Sequence, residues 1–151
     1  MKFAIFLHLL GVVIWVGGMF FAYMALRPAA AQLLEPPQRL TLWIGVFKRF
    51  FRWVWVAVAL ILASGLYMVM LQGGFAQAAW PVWLMTIVGV LMMLIFAHVF
   101  FAPFKRLRRF ALAQDWKAAA LCLAQIRVLI GINLSLGLLN ILIATLGVVI
   151  S

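Results

Sequence analysis

Four stretches of the chain contain no charged residue, and each is long enough to cross a lipid bilayer. A membrane-spanning helix needs about 20 apolar residues, because each residue adds about 1.5 Å to its length. The four stretches are residues 3–26, 53–71, 80–104 and 128–150. The residues before 53 are mostly apolar, so the second helix is expected to cover 44–71. The sequence therefore predicts an all-α integral membrane four-helix bundle, in a single domain of residues 1–151.

Composition excludes the soluble classes of protein. Hydrophobic residues make up 70% of the chain and charged residues only 9%, whereas charged residues are roughly a quarter of a soluble domain. Such a chain has no polar surface with which to cover a water-facing globule. Cys122 is the only cysteine, so neither an intrachain disulfide nor a CxxC metal motif exists.

The basic residues predict the orientation of the helices. Eleven of the 12 basic residues lie in two segments, 27–52 and 105–127, and the remaining one is Lys2. Loops rich in Lys and Arg face the cytoplasm, so both termini are expected on the non-cytoplasmic side. Basic residues at helix ends favour contact with anionic lipid at the cytoplasmic face, and nucleic acid is not expected as a partner.

Polar residues inside the spans form two predicted neighbourhoods, because each is costly in hydrocarbon unless it is paired or faces a cavity. Histidine and methionine in the outer neighbourhood suit copper, with thioethers favouring Cu(I). Arginines around a histidine in the inner one suit an anionic group such as a heme propionate. The outer set is His8, Ser64, Tyr67, Asn140 and Thr145, with Met68, Met70 and Met85 nearby. The inner set is Met19, Tyr23, Arg52, His98, Arg127 and Asn133.

The two histidines are predicted to lie too far apart for one cofactor. His8 is near the outer end of helix 1 and His98 near the inner end of helix 3, a difference of about 19 Å in depth. One metal ion or one heme cannot take both as ligands. Purely structural roles stay open for each: hydrogen bonding for the histidines and Asn133, packing for the methionines, and snorkelling for Arg52 and Arg127.

Helix 1 resembles the first helix of the copper-resistance protein D (CopD) family. The resemblance is carried by HLLGVVIWVGG at residues 8–18, and further on by Arg49-Phe50-Phe51 and Ser64-Gly65-Leu66. That family is associated with copper handling at the bacterial inner membrane. The resemblance implies the same setting for this chain.

A second likeness is to the HemJ-type protoporphyrinogen oxidases, which are small four-helix membrane proteins that bind heme b. Leu134 stands where that family usually has an acidic residue, and this difference speaks against the oxidase reaction. The residues that carry the likeness are His8 with Trp15, Ala97-His98 with Lys105-Arg106, and Arg127 with Asn133.

These observations lead to one preferred function and two alternatives. The preferred function is a CopD-like inner-membrane protein that binds or transports copper, with His8, Met68 and Met85 as metal ligands. The first alternative is a b-type heme redox protein, in which His8 or His98 is an axial ligand and Arg52, Arg127 and Asn133 help to hold the cofactor. The second is a structural membrane subunit.

The sequence shows no carboxylate within a span and no Walker, HExxH or GxSxG motif, so an enzyme is not the leading expectation. A homo-oligomer and a periplasmic copper protein or redox partner are the expected protein partners.

Overall fold

The computed structural model describes residues 1–150, and the side chains of residues 1–147. The described chain is helical throughout and contains no strand. This confirms the predicted all-α class with four helices long and apolar enough to cross a membrane. The helices are α1 (Lys2–Leu33), α2 (Pro36–Leu71), α3 (Trp80–Phe101), α4 (Pro103–Leu112) and α5 (Trp116–Ile150).

The helix boundaries follow local sequence signals. Proline occupies the first turn of α2, α3 and α4, where its missing N–H leaves no bond unmade. Gly73 and Gly74 adopt positive φ angles directly after α2, a conformation that glycine enters without steric cost. The Asp115 carboxylate accepts a hydrogen bond from Ala118 N at 3.1 Å and so caps α5, as expected for an Asp at this position.

The basic segments are helical rather than loop-like. Residues 36–52 belong to α2, so the helix that crosses the membrane continues into the first basic segment. The second segment contains α4, an amphipathic helix that buries Phe104 and Leu107 and leaves Lys105, Arg106, Arg108 and Arg109 exposed. Arg106 also donates a hydrogen bond to the Gln125 side chain on α5 at 3.1 Å. One face of α4 therefore packs on the bundle while its basic face stays outside.

The helices pack in an antiparallel order around an aromatic core. His8 near the start of α1 contacts Ser64 near the end of α2, and Phe47 and Phe51 of α2 pack against Phe104 beyond the end of α3. Since α1 and α3 both run opposite to α2, they run parallel to each other. α5 runs back along α3, because Asn133 bonds Met92 and Asn140 bonds Met85.

Two π-helical stretches interrupt α1, at Val13–Gly17 and Ala22–Leu26. A π-turn adds one residue to the turn and rotates the following residues around the helix axis. Trp15, Met19 and Ala22, which lie in or between these stretches, are all buried. The π-turns therefore help to keep the middle of α1 facing the bundle.

Candidate functional site

His8 and Ser64 form a direct side-chain contact between α1 and α2. His8 Nδ1 lies 3.0 Å from Ser64 Oγ, and Ser64 is only 4% exposed. Ser64 Oγ also lies within hydrogen-bond distance of Leu60 O, and at 3.3 Å from Ile61 O, on its own helix. The pair therefore joins two helices inside the apolar part of the molecule.

The hydrogen-bond pattern around Ser64 favours one of the two neutral tautomers of His8. Ser64 has a single hydroxyl hydrogen, and the carbonyl oxygens of its own helix can only accept a hydrogen bond. When the Ser64 hydroxyl donates to the Leu60 carbonyl, the nearer of its partners, its oxygen is left to accept from His8 Nδ1–H. In a neutral imidazole the other nitrogen, Nε2, then carries the free lone pair. His8 is thereby oriented as a metal-ligating histidine is, with one ring N–H fixed by a protein acceptor.

Gly65 lets the imidazole lie flat against α2. A Cβ at this position would come within 3.3 Å of His8 Cε1 and 3.6 Å of Nδ1. Because Cε1 joins the two ring nitrogens, any side chain at residue 65 would press on the imidazole itself. The Ser64-Gly65 pair therefore supplies both the acceptor and the space for His8.

The two predicted methionine ligands lie near the depth of His8. Met68 follows Ser64 by one turn of α2 and is half-buried, on the same side of the helix. Met85 is half-buried on α3, and its carbonyl accepts a hydrogen bond from Asn140 Nδ2 at 3.3 Å. The structure records no contact between either methionine and His8. Tyr67 and Thr145, from the same predicted neighbourhood, are exposed.

The inner neighbourhood is only partly assembled. Met19 and Asn133 line one small cavity of about 20 Å³ together with Trp15, Phe51 and Phe96. Asn133 is 3% exposed and donates Nδ2 to Met92 O at 3.3 Å, while its Oδ1 has no hydrogen-bond partner. The side chains of Arg52, His98 and Arg127 are instead exposed.

The dimensions of this inner cavity argue against a heme beside Asn133. A volume of about 20 Å³ accommodates a single water molecule, whereas cofactor sites are typically about 300–1,000 Å³. A heme in contact with Asn133 would require the surrounding aromatic rings to separate. The cavity beside Asn133 is therefore too small for this cofactor in the observed packing.

The structure supports separate positions for the two histidines. Trp15 packs against Phe96 with ring centroids 6.0 Å apart. His8 precedes Trp15 by seven residues and His98 follows Phe96 by two, and α1 and α3 run in the same direction. The histidines therefore differ by nine residues, or about 14 Å, in depth. A single ion cannot bind both.

A histidine-rich metal centre is also absent from the described residues, which contain no group of three or more His, Cys, Asp or Glu that could hold an ion. A metal at His8 would need further ligands of another type, and thioethers are the available ones. Sequence reasoning grouped Ser64 with His8 but did not predict the direction of their hydrogen bond. That direction depends on Leu60 O, a backbone atom that no side-chain pattern reveals.

Comparison with known proteins gives one family. A family model described as copper resistance protein D matches residues 44–146. The matched region contains Ser64, Gly65 and Met68, and it begins after His8. No curated protein and no solved structure matches the chain significantly.

Proposed function

Because the chain belongs to the copper resistance protein D family, we propose that it binds monovalent copper inside the membrane and takes part in moving it. The observation that carries this proposal is the His8–Ser64 contact at 3.0 Å. That contact connects helix 1, which lies before the matched region, to the Ser64-Gly65 pair within it. The family match and the contact with His8 therefore involve the same residues, Ser64 and Gly65.

The chemistry of the available donors favours Cu(I). Imidazole and thioether groups are the soft and borderline ligands that bind Cu(I), whereas Cu(II) and the hard divalent cations prefer more oxygen and nitrogen ligands. The chain offers eight methionines, two histidines and only two acidic residues. His8 Nε2 would supply the nitrogen, and Met68 and Met85 would supply thioethers at a similar depth.

A site of one nitrogen and few thioethers would also suit transfer rather than storage. A transported ion must bind well enough to enter a site and weakly enough to leave it. The four apolar helices and the family match support a multi-pass membrane protein. We place it in the bacterial inner membrane with His8 toward the non-cytoplasmic side, as the distribution of basic residues predicts.

A Cu(I) competition titration tests this site. The full-length protein in detergent, kept reduced, is titrated against a chromogenic Cu(I) chelator, and its affinity is compared with that of two variants. His8→Ala is expected to lose most of the binding. His98→Ala removes the same residue type from an exposed position and is expected to keep it.

Two results would contradict the assignment. Unchanged affinity in His8→Ala would remove the site from the His8–Ser64 pair. Equal losses in both histidine variants would show that binding depends on neither position specifically. Circular dichroism and elution as a single species establish that each variant is folded.

A further inference from the structure

A second feature of the bundle, toward its basic end, is a partly open groove formed by α1 and α2, with Ile130 of α5 also contributing to its lining. Its volume is about 240 Å³, and the residues that line it are apolar. Gly18, Ala22 and Leu26 contribute from α1 at intervals of four residues, and Val46 and Phe50 contribute from α2. Gly18 allows the Phe50 ring to lie directly against α1, and the groove continues past it along Ala22 and Leu26.

Two half-buried arginines lie close in the chain to residues that line this groove. Arg27 directly follows Leu26, and its guanidinium lies over the Tyr23 ring, 4.9 Å from the ring centroid. Arg39 precedes Val46 by seven residues and Phe50 by eleven, a spacing that places all three on one face of α2. Arg39 therefore continues the face of α2 that lines the groove, and Arg27 lies one residue beyond the last lining residue of α1.

Antiparallel packing brings these arginines to nearly the same depth. Gly18 lies opposite Phe50, since a Cβ added at Gly18 would overlap the Phe50 ring. Nine residues further along α1 is Arg27, and nine residues back along α2 is Thr41, which is two residues from Arg39. The arginines therefore lie within about one helical turn of each other in depth.

We propose that this groove holds one acyl chain of an anionic phospholipid, with the headgroup phosphate between Arg27 and Arg39. The groove is smaller than the about 300–1,000 Å³ typical of small-molecule sites, and its lining residues are all apolar, as a lipid chain requires. Guanidinium groups bind phosphate through paired hydrogen bonds. Basic pockets between transmembrane helices are recognised sites for anionic headgroups.

Native mass spectrometry with two lipids tests the proposal. The full-length protein in detergent is titrated with phosphatidylglycerol or with phosphatidylcholine of the same acyl chains. One phosphatidylglycerol is expected to remain bound, with an affinity at least about tenfold above that of phosphatidylcholine, a difference worth about 1.4 kcal/mol. Arg39→Gln is expected to remove this preference while leaving the weaker, chain-dependent binding.

A groove-filling variant and a matched control separate the site from general lipid adhesion. Val46→Trp is expected to abolish retention of both lipids, whereas Val56→Trp makes the same change at an exposed position of α2 and is expected to retain them. Leu26→Trp fills the groove from α1 if Val46→Trp does not fold.

Unchanged phosphatidylglycerol binding in a folded groove-filling variant would overturn the proposal. Loss of a dimer peak in that variant, with lipid binding unchanged, would assign the groove to a second copy of the chain.

Discussion

Asn133 and Asn140 lie two turns apart on α5, and each donates its Nδ2 to a backbone carbonyl of α3 at 3.3 Å. Their acceptors, Met92 and Met85, are also seven residues apart, in the opposite order. The same type of hydrogen bond therefore occurs twice along the antiparallel pair of α3 and α5. In both side chains Oδ1 is buried without a partner, so each amide uses only part of its bonding capacity.

We expect replacement of either asparagine by leucine to have a modest effect on stability. Hydrogen bonds between transmembrane helices contribute about 0.6 kcal/mol on average and at most about 1.7 kcal/mol, and leucine also removes an unpaired buried oxygen. Asn133→Leu and Asn140→Leu should each lower the free energy of unfolding by less than about 1.7 kcal/mol. Steric-trapping or detergent unfolding measures this change.

The double variant provides the check on this interpretation. Sites separated by about 10 Å usually have additive effects, and seven residues of helix correspond to about that distance. The double variant should therefore equal the sum of the single ones. A much larger combined loss would mean that the two bonds form a cooperative unit.

The adjacent glycines Gly17 and Gly18 should respond oppositely to alanine. At Gly18 a Cβ would overlap the Phe50 ring, whereas at Gly17 the structure records nothing within 4 Å of it. Overpacking costs about 1–3 kcal/mol, so Gly18→Ala is expected to destabilise the protein by that amount. Gly17→Ala should be neutral or stabilising by up to about 1 kcal/mol, because alanine is the better helix former. Thermal unfolding of the two variants in the same detergent makes the comparison, and equal shifts would contradict it.

Ser64→Ala tests whether orientation of His8 matters for copper binding. Without the Ser64 oxygen, His8 Nδ1 loses its side-chain hydrogen-bond partner, and the imidazole is held less firmly in one tautomer. Loss of such an outer hydrogen bond typically lowers metal affinity about 10–100-fold. Ser64→Thr keeps the hydroxyl and should restore much of the affinity. Ser135→Ala, at an exposed serine whose hydroxyl bonds its own helix, is the matched control, and it should bind Cu(I) as the unmodified protein does.

The sequence was sufficient for the fold class but only partly for the site. Uncharged stretches identify four helices because a bilayer demands about 20 apolar residues from each. The pairing of His8 with Ser64 could be predicted because a polar group in hydrocarbon is costly unless it has a hydrogen-bond partner. The exposure of His98 could not be predicted, since the packing of α3 determines which side of that helix faces the bundle. Likewise no residue pattern in this stretch predicts the π-turn around Trp15.

Met68 offers the sharpest test of the ligand set, because leucine matches its volume and removes only the sulfur. Such swaps usually cost less than about 1.5 kcal/mol of stability, so the fold should be retained. Met68→Leu is expected to lower Cu(I) affinity by about one order of magnitude, equivalent to about 1.4 kcal/mol. Met70→Leu makes the same change at a methionine that is 64% exposed and should leave affinity unchanged. X-ray absorption at the copper edge distinguishes loss of a ligand from an indirect effect of the substitution, because only loss of a ligand removes a sulfur from the coordination shell. If both variants bind as the unmodified protein does, the thioether must come from Met85 or another helix, and the His8 site would face away from the outer end of α2.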